Sequence, residues 1–61
     1  MLQIKTFTGT KLESIENEVN EYLEMLNEDG VDDCDIDILC DTQYNNLFIY
    51  YTYTIIYSEE D

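Results

Sequence analysis

The chain contains no histidine, no arginine, no proline and no tryptophan, and its only cationic side chains are Lys5 and Lys11. Without histidine, imidazole acid–base chemistry and imidazole-activated nucleophiles are excluded. With two lysines and no arginine, no basic surface can form to displace counterions from a nucleic acid or to bind an anionic membrane, so neither is expected as a direct partner. The two glycines, Gly9 and Gly30, make no phosphate-cradling loop. No apolar run approaches the roughly 18 residues that a spanning helix needs. The opening Met1-Leu2-Gln3-Ile4-Lys5 lacks the basic region and apolar stretch of a secretory leader.

Cysteine is scarce too. Cys34 and Cys40 stand six positions apart in a segment that reads as one strand, both pointing to the same face. At about 3.3 Å per residue they are about 20 Å apart, whereas a disulfide requires Cα atoms within about 7 Å. Two buried, unpaired thiols are expected, which fits a reducing cytoplasm. Burial also raises a thiol's pKa and makes it inert.

What the chain has in excess is acid. Fifteen of its 61 residues are Asp or Glu, giving a formal net charge of -13. Charge of this size often accompanies disorder. Here 44% of residues are hydrophobic, six are tyrosine, and the pattern is periodic, so residues 1–61 are read as one folded domain. A domain this small buries only about 60% of its unfolded surface and is marginal alone. Small scaffolds commonly lean on a disulfide, a metal or a second subunit.

Leu2 to Thr8 reads as a strand, with Leu2, Ile4 and Thr6 on one face and Gln3, Lys5 and Phe7 on the other. Thr10 and Glu13 have the spacing of a capping box. From there Leu12, Ile15, Val19, Tyr22, Leu23 and Leu26 form one helical stripe, predicting a helix from Lys11 to Asn27 ended by a turn at Gly30. Val31 to Thr42 reads as a second strand. Cys34, Ile36, Ile38 and Cys40 lie on one face; Asp33, Asp35, Asp37 and Asp41, interrupted by Leu39, lie on the other.

Asn45-Asn46 reads as a two-residue hairpin turn, since Asn tolerates positive φ. The third strand then runs from Leu47 to Ser58. That turn pairs Tyr44 with Leu47, Cys40 with Tyr51, Ile38 with Tyr53, Ile36 with Ile55 and Cys34 with Tyr57, matching apolar face to apolar face. The third strand is apolar or aromatic on both sides, so it is placed centrally. The expectation is an α+β fold of β-α-β-β order: a three-stranded sheet in the spatial order 2-3-1, with one helix on one face. The order 1-2-3, with a right-handed parallel crossover, is the alternative.

No pattern marks a catalytic cleft, and no enzyme activity or cofactor is expected. Asp29, Asp32, Asp33, Asp35 and Asp37 crowd one stretch. Counted from Asp32 or Asp33, however, a calcium-loop frame lacks the Gly and the Glu it requires. No metal site is assigned; weak Ca²⁺ binding by Asp29, Asp32 and Asp33 is the alternative.

The candidate binding groups are instead the strand ladder Asp33, Asp35, Asp37 and Asp41, spaced about 7 Å apart, together with Glu13, Glu16, Glu21 and Glu24 on the helix. Such an array can fill a groove that normally holds a phosphate backbone, through charge-assisted hydrogen bonds to Lys and Arg. The plainer alternative is a charged face that keeps the protein soluble and an edge strand unpaired. Phe48, Tyr50 and Ile56, with Leu39 and Phe7, are expected on the uncovered sheet face. There they would form a homodimer interface.

The order of elements, with Ile4-Lys5-Thr6-Phe7, Glu18-Val19-Asn20-Glu21-Tyr22-Leu23, the acidic stretch Val31–Cys40 and Tyr53-Thr54-Ile55-Ile56-Tyr57, resembles the small acidic sporulation-protein family of spore-forming Firmicutes. Members of that family also occur among uncharacterised phage proteins. That family has no established biochemical activity, so the resemblance implies a β-α-β-β fold and little more. The chain departs from it at Asp37 and Asp41, which extend a uniformly negative face where a more mixed polar strand is usual. The functional expectation is therefore a non-catalytic inhibitor of phage-encoded, anti-defence type. It would be a nucleic-acid mimic that fills the basic groove of a host nucleic-acid-binding protein. The other expectation is a structural or sporulation-type homodimer.

Overall fold

In the computed structural model, which describes residues 1–59, the elements are strand β1 (Leu2–Gly9), helix α1 (Leu12–Glu28), a single 3-10 turn (Asp33–Asp35), and strands β2 (Ile36–Tyr44) and β3 (Ile49–Ser58). The sheet is antiparallel throughout in the order β1-β3-β2. This is the expected β-α-β-β arrangement with the two-sided apolar strand in the centre. β1 enters at one edge, α1 crosses one face, and the β2–β3 hairpin completes the sheet.

The helix starts later than its capping box implied. Its N-cap is Lys11, without a side-chain cap, and the first bond runs from the Ile15 N–H to the Lys11 carbonyl at 3.2 Å. With the cap at Lys11, Thr10 lies outside the helix and Glu13 falls one position short of the reciprocal contact. The other end follows the sequence. Gly30 has φ +92°, its N–H donates to the Asn27 carbonyl at 3.1 Å, and the Val31 N–H donates to the Leu26 carbonyl at 2.9 Å. This paired closure is a Schellman motif. Its apolar clasp is Val31 on Leu26, both buried.

Ile15, Val19, Leu26, Val31, Ile55 and Tyr57 are the buried core, with Phe7, Tyr22, Leu23, Ile36, Tyr51 and Tyr53 packed around it. The odd-numbered residues of β1 and β3 face the helix. Phe7 therefore lies under α1, half-buried, and not on the outer face where it was expected. In β1 the outer face carries Leu2 and Ile4, each 65% exposed.

The hairpin is shifted by two residues from the expected register. Tyr44 pairs with Ile49, Cys40 with Tyr53, Ile38 with Ile55 and Ile36 with Tyr57. Asn45 and Phe48 exchange backbone hydrogen bonds (2.8 and 3.3 Å), so the turn residues are Asn46 and Leu47. The Asn45 side chain accepts from the Asn46 N–H at 2.6 Å. Neither turn residue takes a positive φ, so the left-handed tolerance of asparagine is not what selects the turn. A shift of two preserves side-chain parity, which is why the faces still match.

In this register Asp33 and Cys34 fall past Ser58, the last residue of β3, and Asp35 falls opposite it. The three residues form a 3-10 turn instead of continuing the strand, the Asp35 N–H donating to the Asp32 carbonyl at 2.9 Å. The body is a slender 44 × 18 × 15 Å, because the hairpin tip runs on beyond the Gly9–Tyr51 pair where β1 stops. No helix among the described residues is long and apolar enough to cross a membrane.

Candidate protein-interaction surface

A helix is about 10 Å across, whereas three strands at about 4.8 Å spacing are wider than that. α1 lies over β1 and β3 and leaves the helix-side face of β2 largely clear. The change is abrupt. Ile55 on β3 is 0% exposed, while its neighbour Ile38 on β2 is 46% exposed. Ile38, Cys40 and Tyr44 form a shelf beside the helix, continued at the hairpin tip by Ile49. Both cysteines are free thiols at the surface. The expectation of buried thiols is corrected for two separate reasons: Cys34 sits in the 3-10 turn, and Cys40 sits on the uncovered shelf.

The candidate acids do not form one row. Asp37 and Asp41 occupy the outer face of β2 as expected, paired across with Ile56 and Thr52. Asp33 and Asp35 are in the 3-10 turn, outside the ladder. Glu13, Glu16, Glu21 and Glu24 are all exposed on α1, in the opposite layer from Asp37 and Asp41. Glu21 flanks the β1 side, near Lys5 and Phe7. Among the described residues no charged group is buried.

The expected homodimer residues are separated as well. Phe48 and Tyr50 meet at the hairpin tip, with ring centroids 6.2 Å apart. Ile56 lies about 20 Å further along β3, at about 3.3 Å per residue. Thr52 and Thr54 intervene on the same face, Thr52 sharing a 3.3 Å hydroxyl contact with Thr8 of β1.

On the β1 side the helix is clasped by aromatic rings. Tyr22 packs edge-on to Phe7 (5.7 Å) and to Tyr57 (6.1 Å), and its hydroxyl lies 2.8 Å from that of Tyr57. That hydrogen bond, reinforced by burial, pushes the Tyr22 phenol up to about 12. Lys5 lays its ammonium 5.4 Å from the Phe7 ring centre and 6.0 Å from that of Tyr22, so one of the two lysines is engaged on aromatic faces.

At the C-terminal end of α1 a cleft of about 420 Å³ opens beside Leu26, Val31 and Tyr57, rimmed by Asp29, Asp32 and Asp35. The ligating atoms of Asp32, Cys34 and Asp35 lie within 4.8 Å of one another, all exposed. Two carboxylates and a thiol fall short of the six to eight oxygens that a calcium site gathers. Asn27, with its amide oriented to face acceptors, donates to the Val31 carbonyl and to an Asp33 carboxylate oxygen at 3.1 Å each. That contact gives Asp33 a structural partner.

Sequence reasoning did not find the shelf on β2. The signal was present in the widths: one amphipathic stripe cannot cover three strands. Comparison with protein families, with curated proteins and with solved structures returned no match to this chain.

Proposed function

We propose that this protein is a non-catalytic acidic binding protein that occupies the basic, nucleic-acid-binding groove of a partner protein. In this reading it is a cytoplasmic inhibitor of anti-defence type, such as a phage would encode. The observation that carries the reading is the placement of the charge. A net charge of -13 is presented to solvent with no described carboxylate withdrawn into the core. The slender body also has acid on both broad faces: Asp37 and Asp41 on the sheet, and Glu13, Glu16, Glu21 and Glu24 on the helix. A wedge of this kind meets both walls of a cationic cleft. Complementary charge on both walls speeds encounter and rejects acidic partners.

The test is retention of proteins from a nuclease-treated bacterial lysate at low salt, eluted with rising salt. Basic nucleic-acid-binding proteins are expected, with recovery much reduced when Asp33, Asp35, Asp37 and Asp41 are replaced by Asn in a variant that still folds. Equal recovery by that variant would refute a role for those carboxylates.

The exposed Phe48, 53% accessible and tilted against Tyr50, favours a second reading: a structural homodimer of the sporulation type, with Phe48, Tyr50 and Ile56 at its interface. Light scattering separates the two. A dimer that Tyr50→Glu dissociates supports the homodimer, and a monomer in both forms removes it.

A further inference from the structure

The uncovered shelf and the free edge of the sheet belong to the same strand. β2 is an edge strand of nine residues, Ile36–Tyr44, that contains neither proline nor lysine. Among the described residues no strand lies beside its outer backbone groups, and the Thr42 N–H donates to the Asp41 carboxylate at 2.9 Å. The other edge, β1, is differently placed: its helix-side residue Phe7 is tucked beneath α1, and its Lys5 lies across the aromatic clasp.

Along β2 the two faces differ in chemistry. Toward the helix side stand Ile38, Cys40, Thr42 and Tyr44, uncovered; on the outer face Asp37 and Asp41 flank the exposed Leu39, with Gln43 beyond. A strand laid against this edge would alternate in the same way, every second side chain on each face. Its apolar residues would land on the shelf and its intervening residues beside the aspartates. Those aspartates also discourage a second copy, because pairing β2 with β2 brings two chains of charge -13 together. The charge that guards the edge against self-pairing is complementary to a cationic strand.

We propose that β2 is a docking edge for an extended segment of a basic partner, in which Lys or Arg alternates with apolar residues and which adds antiparallel or parallel to the sheet. The inference rests on the reading of the protein as a binder of cationic partners, and names where and how such a partner is held.

The probe is an acetylated nine-residue peptide alternating arginine and valine. Its comparisons are a peptide of the same composition with arginines and valines in separate blocks, and two alternating peptides N-methylated on one or the other set of alternate amides. Binding is followed by calorimetry at low salt, with hydrogen exchange on β2. The alternating peptide should bind at least about tenfold tighter than the block peptide. One N-methylated form should lose at least about tenfold and the other little, since only one set of alternate amides faces the edge and its hydrogen bonds are lost together. The amides of β2 should gain protection, and Ile38→Glu, at a half-exposed position, should weaken binding while the thermal melt stays cooperative.

Equal binding by the alternating, block and both N-methylated peptides would mean that charge alone holds them. That result overturns the docking edge and leaves the broader reading standing. No binding by any of the peptides at low salt would overturn both. A chain that is already dimeric, with β2 protected before peptide is added, would assign the edge to a second copy and overturn the inference.

Discussion

The hydroxyls of Tyr22 and Tyr57 lie 2.8 Å apart, joining the middle of α1 to the central strand across the top of the core. Removing either hydroxyl leaves the other without its partner, at a cost of about 1 kcal/mol. Tyr22→Phe and Tyr57→Phe should therefore destabilise by similar amounts in urea titrations. The double variant should lose less than the sum, because only one interaction is there to lose.

The same pair makes stability depend on alkaline pH. In the unfolded chain the Tyr22 phenol titrates near 10; in the folded chain it is pushed up to about 12, first by the bond to Tyr57 and then by burial. The folded state holds the proton more tightly. Its contribution is therefore fully present below about pH 10 and is lost as pH rises through about 12. Urea midpoints measured between pH 9 and 12 should fall more steeply for the native chain than for Tyr22→Phe, a comparison that subtracts the general effect of rising negative charge.

Ile55 is the one fully buried large side chain among the described residues. Ile55→Ala should cost about 2–5 kcal/mol, against a total of roughly 3–9 kcal/mol for a domain of this size. Circular dichroism should show a chain that is largely unfolded or that melts at a far lower temperature. Ile38→Ala, on the uncovered shelf one strand away, should shift the melt little.

Gly30 closes the helix at φ +92° with open space around its Cα. An added methyl group meets no neighbour, so the penalty is backbone strain alone. Gly30→Ala should cost about 1–2 kcal/mol, and Gly30→Asn less. Equal stability of all three would show that the turn is not held in the left-handed region.

Much of this architecture could be read from the sequence. The central place of β3 followed from apolar residues on both of its faces, and the helix from the stripe Leu12–Leu26. The register was misplaced by two because Asn45-Asn46 looked like the turn; the backbone turns one residue later, at Asn46-Leu47. Parity survived the shift, so every β2 residue kept its face, but Asp33 and Asp35 lie in a 3-10 turn and not in the strand. That part of the acidic ladder was illegible because a short alternation of Asp with apolar residues looks the same whether the backbone stays extended or closes into a turn. The exposure of Cys40 and Ile38 was hidden for a different reason. Face is encoded in the pattern, but the lateral position of the helix over the sheet is not.

The net charge bears on stability as well as on binding. No charged group is buried among the described residues, so repulsion among the carboxylates should be open to screening by salt. The melting temperature should rise between low salt and 1 M NaCl. A flat or falling dependence would mean that the acids are not working against the fold.

Competition for a nucleic-acid groove tests the central claim most directly. With a basic partner recovered from lysate, displacement of a bound DNA fragment by this protein should be stoichiometric at low salt. It should weaken steeply as salt rises, and it should be lost when Asp37 and Asp41 are replaced by Asn together with Glu13, Glu16, Glu21 and Glu24 by Gln. Displacement that is indifferent to salt, or undiminished in that folded variant, would contradict the account.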